Sequence, residues 1–142
     1  MTTATIAAVC RIFRAFETGN LSDAAEYVHP EYFNHESIDR TGSRGPAELA
    51  HSVDWLRSAF SELAFHVEDI IATNDRVAVH VVMSGRHSGS FLGHPPTGRR
   101  FAAEQVHLFS LRDGTIREHR AIRDDLSMHR QLGLLTAKRP PT

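Results

Sequence analysis

Cysteine is nearly absent. Cys10 stands alone, so no internal disulfide framework can form, and the chain is compatible with a reducing compartment such as the cytoplasm. Charge of either sign is not in excess. The formal net charge is −1 and the pI about 6.8, which provides no field to draw in nucleic acid or an anionic membrane. No apolar run approaches the length of a membrane span, and the N-terminus lacks a charged-then-apolar pattern, so neither an anchor nor a signal segment is expected. Several reaction classes lack their motifs. There is no HExxH, no CxxC, no phosphate-cradling glycine loop before a helix and no nucleophile elbow. Cys10 falls in an amphipathic stretch and reads as a core residue rather than a nucleophile.

What remains is an ordinary soluble composition, 41% apolar and 23% charged over 142 residues, read as a single domain spanning 1–142 with room for a core and a pocket. Ten histidines are many for this length. They are scattered, so they read as individually placed groups and no metal tract is expected.

The N-terminal part is helical in pattern. Residues 5–18 carry Ile6, Val9, Phe13 and Phe16 on one stripe and stop at Gly19. Asn20 suits the N-cap of a short second helix, Leu21 to Val28, ended by His29-Pro30. Glu31 to Glu36 reads as extended. After a loop from Thr41 to Gly45, Pro46 opens a third helix with Leu49, Val53, Leu56 and Phe60 on its face. Strand patterns follow: Leu63 to Thr73, a turn at Asn74-Asp75, and a valine-rich run from Arg76 to Ser84. The segment Gly85 to Gly98, with four glycines and two prolines, reads as a long connection or bulged strand end of the kind found at the mouth of a site. Leu126 to Leu132 forms a last helix, capped by Asp124 or Asp125 and stopped by Gly133, before a frayed KRPPT tail. Helices followed by four or more antiparallel strands predict an α+β fold.

The richest signal is the stretch EQVHLFSLRDGTIREHRAIRDD. Asp113-Gly114 between two alternating runs predicts a two-residue hairpin loop. Regular pairing outward from it sets Leu111 opposite Ile116, Phe109 opposite Glu118, His107 opposite Arg120, Gln105 opposite Ile122, and Ala103 opposite Asp124. All ten would share one face. That face is apolar at the turn and polar further out, a plausible wall for a reactive cavity. Earlier in the chain, Asn34 and His35 alternate faces, so only one points inward. Tyr32 goes with Asn34, and Phe33 with His35. Trp55 lies off the main stripe of its helix and either lines a pocket or packs. His87 is expected at the surface, with the pocket mouth within reach.

The pieces VHPEYFNHE, VEDIIATNDRVAVH, GRHSGSFLGHPPTGR and DGTIREHRAIRDDLSMHRQLG together resemble the SnoaL-like polyketide cyclases of the nuclear-transport-factor and ketosteroid-isomerase superfamily. The resemblance implies a cone-shaped α+β barrel enclosing a hydrophobic pocket, no cofactor, and a homodimer or higher homo-oligomer packed through the sheet. It also implies catalytic roles for Asp124, as general base at the end of the last strand, and for His107 on the preceding strand. The expected activity is acid–base-assisted ring closure, of aldol type, on a hydrophobic polyketide-like carbonyl compound. Asn34, His35, Gln105, Arg120, Trp55 and Tyr32 are the candidate substrate contacts. Regular register puts His107 and Asp124 about 13 Å apart, at opposite ends of a guest. Arg120 departs from the aromatic residue many relatives carry there, and would put a fixed charge in the cavity. The same pocket could instead serve a pericyclic closure, a hydration or epoxide opening, a cofactor-free oxygenation, or binding without catalysis.

Overall fold

The computed structural model describes residues 2–37 and 42–135. The KRPPT tail and Thr41 at the start of the expected loop lie outside the described residues. Helix α1 (Thr2–Thr18) buries Ala8, Val9, Ile12, Phe13 and Ala15. It ends at Gly19, whose φ of +75° suits a left-handed C-terminal stop and whose N–H bonds Ala15 O. The Arg57 guanidinium donates to the free carbonyls of Phe16 and Glu17, at 3.1 and 2.7 Å. Cys10 falls on the exposed side of this helix, contrary to the core position expected of it.

The expected helix over 21–28 shrinks to one 3₁₀ turn, Ala24–Glu26. Asn20 Oδ1 accepts from Ser22 N and closes a local turn instead of starting a helix. Val28 is already the first residue of β1 (Val28–Asn34), so sheet pairing overrides the local helical pattern. His29-Pro30 thus sits inside a strand. Proline is tolerated because β1 is an edge strand with one neighbour.

Helix α2 (Pro46–Ala59) begins on its proline and buries Leu49 and Val53. Phe60 is not part of it. Its N–H still bonds Leu56 O, but its backbone is extended and opens β2 (Phe60–Ala72). Then come β3 (Arg76–His87), β4 (Arg100–Arg112), β5 (Thr115–Arg123) and α3 (Asp125–Gln131). The sheet order is β1-β5-β4-β3-β2, with β1 parallel to β5 and every other pair antiparallel. Three helices therefore pack on an open, mixed five-stranded sheet, the expected α+β arrangement. No helix among the described residues is long and apolar enough to cross a membrane.

The hairpin forms as expected at Asp113 (φ 54°) and Gly114 (φ 80°), and Arg112 pairs with Thr115. One step further, the register breaks. Leu111 pairs with Ile116, but Ser110 pairs with Glu118, leaving Arg117 as an extra residue. Every later pair is displaced by one. Phe109 faces His119, His107 faces Ala121, and Gln105 faces Arg123. Because side chains alternate, a one-residue slip exchanges the two faces of β5. His119, Ala121 and Arg123 turn toward the helices, while Arg120 and Ile122 turn away. The expected pairings of Phe109 with Glu118, His107 with Arg120 and Gln105 with Ile122 are corrected accordingly.

Candidate active site

The inner face of the sheet and helices α1 to α3 surround a cavity of about 130 Å³. Its walls are largely aromatic and aliphatic: Phe13 and Phe16 of α1, Trp55 of α2, Phe65 of β2, and Phe91 from the segment after β3. Phe91 and His94 close a tight two-residue turn through reciprocal backbone bonds of 3.0 and 2.8 Å, with Leu92 and Gly93 both at positive φ. This turn presses the Phe91 ring against Trp55 and Phe60, at centroid distances of 5.8 and 4.9 Å. The glycine-rich connection therefore forms one wall of the site.

At the sheet side four polar side chains form a continuous buried chain. Asn34 Oδ1 lies 3.0 Å from His119 Nδ1, His119 Nε2 lies 2.7 Å from His107 Nδ1, and His107 Nε2 lies 2.7 Å from the Gln105 carboxamide oxygen. All four residues are at most 5% exposed, and all line the cavity. Phe109 stacks on His119 (4.6 Å, 10°) and the edge of Phe13 meets His107 (5.1 Å, 86°), so the rings are held by packing as well as by hydrogen bonds.

Burial, with a smaller contribution from the Arg123 charge, holds His107 down to a pKa of about 3. Burial, the neighbouring His107, Arg123 and His35 together hold His119 well below its ordinary value. Both imidazoles are neutral, and proton counting then orients the chain. Asn34 Oδ1 also accepts the Glu36 N–H (2.9 Å), and Asn34 Nδ2 donates to Ser52 Oγ (3.1 Å), so this carboxamide cannot turn round. Its oxygen takes the proton of His119 Nδ1. His119 Nε2 is then bare and accepts from His107 Nδ1, which leaves His107 Nε2 bare. Two neutral rings carry two ring protons, and three contacts need three. The structure sets the Gln105 oxygen toward His107 and its Nε2 3.5 Å from Met83 Sδ; turning the carboxamide round gives up that weak sulfur contact and supplies the third proton. In that arrangement the unprotonated ring nitrogen of His107 is Nε2, covered by Gln105.

Asp124 stands apart from this chain. Its Oδ1 accepts from Ser127 N at 3.0 Å, which makes it the N-cap of α3. It is exposed and is not among the lining residues. Asp125, not Asp124, reaches the cavity rim. Arg120 is exposed on the outer sheet face, which corrects its expected place in the cavity. Of the two alternating neighbours, Asn34 points in. His35 points out, 3.3 Å from Glu118 and edge-on to Phe33. Tyr32 shares the face of Asn34 but is sealed in the core at 1% exposure, where burial raises its phenol pKa. Trp55 and Gln105 both line the cavity. His87 is fully buried rather than at the surface. Its Nδ1 accepts from Thr97 N, and its ring lies 5.8 Å from Phe60.

Two lining residues escape regular pairing: His119, expected on the outside, and Arg123, whose guanidinium meets Glu36 at 3.2 Å. The only sequence hint was polarity. An alternation that places Arg120 inside and His119 outside is less economical than its reverse, but deciding between them requires the bulge. Among the described residues no cluster of three or more histidine, cysteine or acidic side chains is arranged to hold a metal ion.

An open α+β cone whose helices and curved sheet enclose an aromatic cavity with buried acid–base groups defines a class of small-molecule-handling proteins. Within it, the chain belongs to the SnoaL-like polyketide cyclase family, whose family model matches residues 7–132. It is 43% identical over 129 residues to the aklanonic acid methyl ester cyclase AcmA of Streptomyces galilaeus, with 90% of each chain covered. It is also 43% identical over 120 residues to the nogalonic acid methyl ester cyclase of Streptomyces nogalater, covering 84% of this chain and 90% of the relative. Among solved structures it is similar to TsrD from Streptomyces laurentii, at a TM-score of 0.79 and 28% identity over 91% of this chain and 97% of that one. These named relatives support an enzyme of the cyclase type.

Proposed function

We propose that this protein closes a ring in a hydrophobic polyketide ester by intramolecular aldol addition, without a cofactor, and that His107 is the proton acceptor. The observation that carries this reading is the buried chain Asn34–His119–His107–Gln105, all four members of which line the cavity. A carbon flanked by two carbonyls is acidic enough for a base of this kind when base and substrate are held in contact in a water-poor site. A pKa near 3 keeps the empty-site imidazole unprotonated at any working pH. As proton transfer proceeds, an enolate develops beside the new imidazolium, and that opposite charge restores its basicity. His119 can take up positive charge through the 2.7 Å contact, and Phe109 offers a ring face beside it. Gln105 is suited to orient a carbonyl once a guest displaces it from His107.

The relatives' names make aklanonic and nogalonic acid methyl esters the first substrates to try. An aldol closure gives a product of unchanged mass, so chromatography with mass detection reads it directly. Wild-type protein should convert one of these esters and His107→Gln should not. Equal turnover by His107→Gln would remove the base from the mechanism and favour a pericyclic or orientation-only reaction. The outer sheet face is the surface through which we expect two copies to pair.

A further inference from the structure

The bulge that brings His119 inside also delivers a cation. Arg123 is two residues beyond Ala121, which pairs with His107, and is itself paired with Gln105, so its side chain leaves β5 on the cavity face. It is less than a third exposed, and its charge is felt by both imidazoles. It donates to Glu36, through one contact from Nη1 to Oε1 at 3.2 Å. A guanidinium has five N–H donors in a planar fork, so a single contact leaves donors for a guest oxygen. The lining carboxylates, Glu36 and Asp125, and the rim histidines His51 and His129 belong to the same rim.

We infer that Arg123 is the oxyanion-binding residue of this site, holding the enolate oxygen formed as His107 removes the substrate proton; this rests on the base role proposed above. The C–H pair moves into a C=C bond while the carbonyl π pair moves onto oxygen beside the guanidinium, and the proton goes to His107 Nε2. The enolate carbon then bonds to the second carbonyl carbon. The alkoxide formed there takes the proton back from His107, so no co-reactant is needed. The ligand class this favours is a flat, ring-bearing carbonyl or phenol whose oxygen can carry negative charge, with its rings between Phe13, Trp55 and Phe91.

The test uses a stable enolate mimic. 2,4-Dinitro-1-naphtholate is anionic and coloured at neutral pH, and its methyl ether is a neutral partner of similar shape. Arg123→Gln should weaken naphtholate binding about tenfold, the worth of a charge-assisted hydrogen bond, with ether binding changed by less than about twofold. Glu36→Gln should tighten naphtholate binding, since it frees the guanidinium. Equal effects of Arg123→Gln on both probes, or weaker naphtholate binding by Glu36→Gln, would overturn the assignment. Because one variant loses and the other gains, general misfolding cannot mimic the expected pattern. Probe binding does not need turnover, so an active His107→Gln enzyme would sink the base role while leaving this measurement to judge Arg123 separately.

Discussion

His107 Nδ1 and His119 Nε2 are 2.7 Å apart, with their rings within 8° of one plane, so two imidazoles from adjacent strands act as one hydrogen-bonded unit. Removing His107 removes the proposed proton acceptor. Removing His119 leaves the acceptor but no longer fixes its tautomer through the 2.7 Å contact. His107→Gln should therefore lower turnover by roughly 10²–10⁴-fold, the usual share of a general acid–base group. His119→Gln should lower kcat by less and leave KM nearly unchanged. Steady-state kinetics on the two methyl esters separates these outcomes.

Acid should destabilise this fold through the same pair. A histidine with a depressed folded pKa binds more protons when unfolded. Its stability contribution is intact above about pH 6.5, its unfolded value, and is lost as pH falls below that. The loss continues toward about pH 3 for His107. Each buried imidazole contributes a slope of at most about 1.4 kcal/mol per pH unit in that window. Urea denaturation between pH 7 and 4 should show this slope, and the double variant His107→Gln/His119→Gln should flatten it.

Asp124 is expected to matter for stability rather than chemistry. Asp124→Ala removes the acceptor for Ser127 N and should cost about 1 kcal/mol, with turnover close to wild type once folded. A loss as large as that of His107→Gln would return the base role to Asp124.

Gly89 marks where the cavity wall meets α2. A Cβ there would lie 1.9 Å from Ser58 O, a backbone atom that cannot step aside. Gly89→Ala should shift the 88–94 turn and loosen Phe91 from Trp55. Thermal melting should fall by several degrees, a change of about 1–3 kcal/mol.

The outer sheet face carries Ile71, Leu108, Val106 and Ile122, with Ile71 and Ile122 about 70% exposed. Ile71 and Leu108 fall in one cross-strand row through Ala78, and Val106 and Ile122 in the next. These apolar side chains, interspersed with Arg120 and the His80–Glu104 pair, form a patch suited to a partner surface, and a second copy is the partner expected here. Light scattering should report a dimer, and Leu108→Lys with Ile122→Lys should give a monomer. A monomeric wild type would leave this face unaccounted for.

The amino-acid pattern was enough for the α+β class, helices α1 and α2, most of β2 to β5, the Asp113-Gly114 turn and the inward histidine on β4, because each rests on local periodicity or turn chemistry; the start of β1 and Phe60 read as helix instead. It was also enough to place His107, Gln105 and Trp55 where they line the cavity, and to narrow Asn34 and His35 to one inward residue. What it could not determine was the face of β5. Arg117, one extra residue beside a tight turn, exchanges His119 and Arg123 for Arg120 and Ile122. No local propensity marks that slip, since both faces of REHRAIR mix polar and apolar residues. The choice is made by pairing to β1 and β4 and by packing against Phe109 and Asn34, contacts that exist only once the sheet is assembled.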